Sequence, residues 1–289
     1  MTDTLRRFVF EHAPVRGLIV QLGAAWRAVL ERHEYPPVLQ RLLGETMAAA
    51  ALLAATLKFE GSMIMQMHGS GPVKLLVVEC TSDLHLRATA KWDGDPVGAS
   101  IGELLGQGRF VITLAAKDGT HNYQAAVALE GADIAQVLRH YMLNSEQLDT
   151  RLWLATDAMR ACGMLLQKLP GEAVADADAW QRATVLAATV TSRELLELPA
   201  RRLIRRLFHQ EDVRLFEPAP LAFRCSCSRA RVGEMLRMLG KAEAEGMLDE
   251  RGSIEVTCEF CRRRFVFDRV DSEQVFLQTP GTQSTGTHH

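Results

Sequence analysis

Two closely spaced cysteine pairs are the part of this sequence whose residue types and spacing could do chemistry. They are Cys225-Ser226-Cys227 and Cys258-Glu259-Phe260-Cys261, separated by residues 228–257. Each pair can present two thiolates from one tight turn, and a fold that brings the turns together builds a tetrahedral Zn²⁺ site. Four sulfurs close the coordination sphere and leave no position for water or substrate, so the pattern points to structural or redox use and away from a catalytic zinc. C-x-x-C is the usual half-site; C-x-C is less common in structural modules. Two readings therefore stay open: a zinc ribbon that only staples a small domain, and redox thiols that work without metal.

The surroundings of the pairs bear on that choice. Residues 222–270 hold ten Lys/Arg and eight Asp/Glu, a formal +2. A Zn(Cys)₄ cluster carries −2, so the metallated segment would be close to neutral. Arg224, Arg229, Arg262, Arg263 and Arg264 lie near the cysteines in sequence. Cations there are expected to favour thiolate over thiol, lowering the pKa from about 8.5; the plainer role of an arginine run is a solvated face. From Pro218 to Leu277 the segment is too short for its own core to stabilise it well. In such modules metal binding is folding free energy, about 10–16 kcal/mol for zinc-finger peptides. Oxidation of the thiolates should expel the metal and unfold the module.

The chain has 289 residues, 47% hydrophobic and 24% charged, with a formal net charge of −2. That is a globular composition, long enough for one main domain and one or two small ones. Near-neutral charge gives no bulk attraction to nucleic acid or membrane. No apolar run reaches about eighteen residues, so no membrane helix is expected, and Met1–Phe10 lacks the apolar core of a signal peptide. Six cysteines, four of them in metal spacing, fit a reducing compartment, the cytoplasm.

The elements that must position the cysteines read as follows. Apolar alternation at Phe8–Phe10 and Val15–Val20 predicts strands, and Gly23–His33 a helix broken by Tyr35-Pro36-Pro37. Val38–Phe59, rich in alanine and leucine, predicts a long helix packed closely on a sheet. Strands follow at Met63–His68, Val73–Cys80, Leu84–Trp92, Arg109–Ala116 and Asn122–Leu129, with Asp93-Gly94-Asp95-Pro96 and Lys117-Asp118-Gly119-Thr120 as turns. Ala132–Leu143 is helical; Gln147–Ala155 and Ala158–Leu166 are strand-like. The fold class is α+β, a mixed sheet-and-helix core domain over residues 1–170. Residues 171–217 form a helical linker, 218–280 the zinc-binding redox-switch domain, and 281–289 a disordered tail. In the linker, Trp180–Leu198 reads as one helix weakened by Thr184, Val185, Thr189, Val190 and Thr191. Pro199 opens a second helix through Phe208 with Arg201, Arg202, Arg205 and Arg206 on its surface.

Other candidate features carry less. Met63, Met65 and Met67 share one strand face and are expected in the core. Gly102, Gly106 and Gly108 match neither a P-loop nor a dinucleotide fingerprint. His68, His85, His121 and His140 are scattered, and no catalytic set is legible. Cys80 and Cys162 are expected to be buried and unreactive.

Two strings then carry a resemblance. Glu217-Pro218-Ala219-Pro220-Leu221-Ala222-Phe223-Arg224-Cys225-Ser226-Cys227-Ser228-Arg229 and Ile254-Glu255-Val256-Thr257-Cys258-Glu259-Phe260-Cys261 closely resemble the bacterial redox-regulated heat-shock holdase, the thirty-three-kilodalton heat-shock protein family. Gly44–Ala50, Leu57-Lys58, Ser145–Gln147 and Leu165–Pro170 are similar too; Cys162 departs, standing where the family tends to have a small residue. The resemblance implies an ATP-independent chaperone, not an enzyme, that is inactive when reduced and zinc-bound. It implies one Zn²⁺ per chain on Cys225, Cys227, Cys258 and Cys261, with oxidation pairing Cys225 with Cys227 and Cys258 with Cys261. It further implies zinc release, destabilised linker helices, capture of unfolding client proteins and a homodimer in the active form. The alternative is a zinc-ribbon nucleic-acid-binding protein using Arg262–Arg264 and the Arg201–Arg206 stripe.

Overall fold

The structure, a computed structural model, describes residues 3–98, 100–119, 122–170, 176 and 178–277. The expected tail 281–289, most of the stretch Pro170–Ala179, and Thr120 and His121 lie outside the described residues. The chain forms two compact units, residues 1–224 and 225–289.

The first unit opens with an antiparallel pair, β1 (Thr4–Phe10) and β2 (Val15–Leu22), followed by α1 (Ala24–Leu30). The Asp3 carboxylate accepts from the backbone N–H groups of Gly23, Ala24 and Ala25, satisfying donors that the start of α1 leaves open. Next comes α2 (Pro37–Ala54), with Pro37 in its first turn, where a missing N–H costs nothing. It stops five residues short of the expected Phe59. Arg7 and Arg16 donate to the carbonyls of Ala55 and Thr56, so side chains take over acceptors that another helical turn would have used.

A meander follows: β3 (Gly61–His68), β4 (Val73–Thr81) and β5 (His85–Trp92), then the short α3 (Ile101–Leu105), β6 (Arg109–Ala116) and β7 (Asn122–Val127). Then come α4 (Ile134–Asn144) and the hairpin β8 (Thr150–Thr156) and β9 (Ala161–Lys168). Helices α5 (Ala179–Ala187), α6 (Ser192–Glu197) and α7 (Ala200–Leu207) lead to the short strands β10 (Val213–Leu215), β11 (Ala219–Pro220) and β12 (Ala222–Phe223).

Two sheets result. One runs β10-β1-β2-β9-β8, with β11 also on β1; the other runs β12-β5-β4-β3-β6-β7. Helix α2 packs on strands of both. Met47–Ala54 is buried on every side, which explains its alanines: two sheets meet one helix, and only small side chains leave room. A Cβ on Gly44 would stand 2.4 Å from Thr156 Cγ2. The expected core placement of Met63, Met65 and Met67 holds, all three being buried against this helix and its neighbours.

The opposite face of the first sheet carries a second core. Phe8, Phe10, Met164 and Leu166 pack against Ala183, Ala187, Leu195 and Leu203 from α5, α6 and α7, and against Phe208 at the C-cap of α7. Covering both faces explains why β9 is buried at every position from Ala161 to Gln167 rather than at alternate ones.

The single helix expected over Trp180–Leu198 is two helices. Thr189 Oγ1 donates to the Leu186 carbonyl, and Thr191 starts α6 by accepting from Glu194 N while Glu194 accepts from Thr191 N. This capping box outcompetes continuation of α5.

The second unit contains α8 (Arg229–Leu239), α9 (Lys241–Arg251), the hairpin β13 (Ile254–Thr257) and β14 (Arg264–Phe267), and α10 (Arg269–Leu277). Among its described residues the buried core is seven side chains: Val232, Leu236, Ala244, Leu248, Ile254, Phe265 and Phe267. A core that small supplies little stability by itself.

Candidate metal centre

The two cysteine pairs sit on different kinds of turn. Cys225 and Cys227 precede α8, whose N-cap Ser228 accepts from Arg231 N at 3.2 Å. Arg231 reaches back with Nη1 to the Ser226 carbonyl at 3.2 Å and its hydroxyl at 2.5 Å, bracing the C-x-C turn. Cys258 and Cys261 occupy the turn of the β13–β14 hairpin. Cys258 N donates to the Arg263 carbonyl at 2.9 Å and Arg262 N to the Cys258 carbonyl at 2.8 Å. The turn requires Arg262 at φ 60°, in the left-handed region. Backbone N–H groups of Cys261 and Phe260 point at the Cys258 sulfur, stabilising negative charge there.

These turns bring all four Sγ atoms within 4.8 Å of one another. Cys225 Sγ lies 3.6 Å from Cys258 Sγ, and Cys227 Sγ 3.2 Å from Cys261 Sγ. Sulfurs held about 2.3 Å from one tetrahedral ion are about 3.8 Å apart. A disulfide would require about 2.05 Å. Sulfur contacts run between the two pairs as well as within them, as ligands of one central ion must. All four side chains are half-buried, and none of the six cysteines is in a disulfide. The donor set therefore fits a soft, tetrahedral metal ion.

Electrostatics correct one expectation. Burial first, then hydrogen bonds with Cys261 and Cys225, push the Cys227 thiol above its ordinary range. Burial also raises Cys258, against the pull of the backbone donors. The arginines near the cysteines in sequence do not overcome this, because several are engaged elsewhere. Arg229 lies 4.2 Å over the Phe267 ring and pairs with Asp271 at 2.6 Å, and Arg264 pairs with Glu255. Thiols such as Cys227 and Cys258 that resist ionisation become thiolates when a cation sits among them, which is what a metal does.

Cys80 and Cys162 lie buried in β4 and β9 of the first unit. Desolvation pushes both thiols up to about 12, so neither is a reactive thiolate. Of the arginine stripe on α7, Arg206 pairs with Glu194 at 2.5 Å, while Arg201, Arg202 and Arg205 are exposed. Sequence reasoning did not single out Ser226, Ser228 and Arg231 as the brace of the first turn. The signal was present, since a serine immediately before a helical segment is an N-cap. No described helix is long and apolar enough to cross a membrane.

Comparison with known proteins agrees with this architecture. A family model described as "Hsp33 protein" matches residues 3–268. The chain is 52% identical over 278 residues to a "33 kDa chaperonin" of Methylobacillus flagellatus, covering 96% of this chain and 95% of the relative. It is 48% identical over 287 residues to a "33 kDa chaperonin" of Nitrosococcus oceani, covering 99% of each. The fold matches the crystal structure of the 33 kDa chaperonin (heat shock protein 33 homolog) from Thermotoga maritima. There the TM-score is 0.78 at 22% identity, over 95% of this chain and 98% of that one. With its α+β fold and its four-cysteine cluster, the chain belongs to the Hsp33 family of heat-shock chaperones.

Proposed function

We propose that this chaperone is a redox-regulated, ATP-independent holdase whose switch is the four-cysteine centre. The observation that carries the reading is the convergence of four Sγ atoms within 4.8 Å in a unit whose described residues bury a core of only seven side chains. In the reduced chain Cys225, Cys227, Cys258 and Cys261 hold one Zn²⁺. The ion would supply charge neutralisation and a cross-link between the C-x-C turn and the β13–β14 hairpin.

On oxidation each pair of zinc-bound thiolates loses two electrons to a peroxide-class oxidant, and water supplies the two protons that each peroxide takes up. Two equivalents of peroxide become four of water, and the chain gains Cys225–Cys227 and Cys258–Cys261 disulfides. Disulfide sulfurs are poor ligands, so the cross-link is lost and the unit unfolds. On this reading residues 1–170 act as core, 171–217 as the helical linker that loosens, and 218–280 as the switch. The exposed apolar surface holds unfolding client proteins in the cytoplasm, and the active form is a homodimer.

The test is suppression of aggregation of a heat-unfolded protein, before and after peroxide, with zinc release and sedimentation followed in parallel. Activity should appear only after oxidation, together with about one zinc per chain released. Equal activity in the reduced, zinc-loaded protein would overturn the switch.

A further inference from the structure

In the first unit, far along the chain from the cysteines, an arginine is held at the edge of an apolar pocket. The cavity, about 100 Å³, is bounded by Leu53 of α2, Leu57 just beyond it, Met63 of β3, Ile112 and Leu114 of β6, and Met142 of α4. Arg16 of β2 is its cationic wall.

The guanidinium is fixed by one buried side chain and one backbone carbonyl. Nε and Nη2 both donate to Gln167 Oε1, Nε at 2.9 Å, and Nη2 also reaches the Thr56 carbonyl at 3.4 Å. Gln167, fully buried, is itself oriented by donating to Thr150 Oγ1 at 2.8 Å. These partners are neutral. Among the described residues no carboxylate pairs with Arg16, and its Nη1 has no protein partner. Burial, and after it the neighbouring cation Arg7, weaken the hold of Arg16 on its proton. A preorganised, half-buried guanidinium without a counter-charge, beside an apolar cavity, is complementary to an anion with an apolar tail.

We infer that this pocket binds a short aliphatic monocarboxylate, its carboxylate on Arg16 and its alkyl tail among Leu53, Met63 and Ile112. The cavity is smaller than the ~150 Å³ apolar cavity that accepts benzene, so only a short tail enters. Glu146 on the same lining accepts from the Tyr141 hydroxyl. It repels a carboxylate on its own side and leaves the ligand one orientation. The mouth lies beside Leu57 and Tyr123, which are 43% and 54% exposed.

The experiment titrates hexanoate, 1-hexanol and hexylamine into the reduced full-length protein, followed by saturation-transfer NMR. Hexanoate should bind saturably and at least tenfold more tightly than hexanol, with hexylamine weakest. Arg16→Met should bring the hexanoate-to-hexanol ratio to about one, and Arg16→Lys should restore part of it. If Arg16→Met does not fold by circular dichroism, Leu57→Glu at the exposed mouth replaces it and should weaken hexanoate selectively. Absence of saturable binding, equal binding of acid and alcohol by the parent, or a preference unchanged in the folded variant would each overturn the site. Tenfold tighter binding of a tetrapeptide ending in leucine would overturn the small-acid assignment in favour of a peptide terminus.

Discussion

At the scale of single residues, the six cysteines divide by environment rather than by sequence neighbours. Cys258 has backbone donors aimed at its sulfur and three other thiols around it. Cys80 has a desolvated strand interior and Glu79 beside it, which together keep its proton on. Metal analysis of Cys258→Ser should therefore show a large loss of bound zinc, while Cys80→Ser should retain about one equivalent. Equal loss in both would refute the ligand assignment. Alkylation of the native, metal-stripped protein should modify the four clustered cysteines, with Cys80 and Cys162 reacting only in denaturant.

Glu45 presents the opposite problem, a carboxyl group in a place that disfavours its charge. Burial raises its pKa to about 7, Asp133 adds to the effect, and Arg41 opposes it. Unfolded, it ionises near 4.5. Between those values the folded chain binds more protons than the unfolded one, so stability falls as pH rises through that window and levels off above it. Glu45→Gln should melt close to the parent at pH 5 and above it at pH 8, by on the order of 2 kcal/mol. Identical pH profiles for parent and variant would show that the carboxyl is not desolvated in solution.

At the scale of elements, the helices of residues 179–207 are held by their fit to the first sheet and by their caps. Ala183, Ala187 and Leu195 are buried on that sheet, whereas Val185 is 61% exposed. The β-branched residues in this stretch do not act alike. Val185 is a weak helix former at a site with little packing, so Val185→Ala should stabilise by some tenths of a kcal/mol. Thr191 caps α6, so Thr191→Ala should destabilise by about 1 kcal/mol despite alanine's higher propensity. Chemical denaturation of both variants separates the two signs. If both were stabilising, the capping box would be contributing nothing.

At the scale of the whole molecule, the two units differ in what holds them together. Residues 1–224 enclose two large apolar cores around a six-stranded sheet, while residues 225–289 enclose one small one beside the cysteines. After peroxide treatment and mild heating, limited proteolysis should first cut within Cys225–Leu277. The strands between Gly61 and Val127 should persist as a resistant fragment. First cuts among those strands would mean that the larger unit, not the cysteine unit, depends on the thiol state.

What the sequence determined by itself was whatever rests on local spacing and period. The four clustered cysteines, the strands from Met63 to Ala116 and the strand-like stretch Ala158–Leu166 were legible, because turn chemistry and side-chain alternation act over a few residues. Even the break at Thr191 was written there as Thr191-Ser192-Arg193-Glu194, a capping box hidden inside an apparently continuous apolar period. The tertiary structure decided what depends on residues far apart in the chain. It placed Arg7 and Arg16 on the last carbonyls of α2, seated α5–α7 on the back of the first sheet, and joined Arg16 to Gln167 across 151 positions. It also turned the expected effect of the arginines around. Proximity in sequence suggested cations that lower the cysteine pKa values, but Arg229 and Arg264 neutralise carboxylates instead, and desolvation of the clustered sulfurs wins. Charge effects fall off with distance through space, and distance through space is what one-dimensional spacing does not contain.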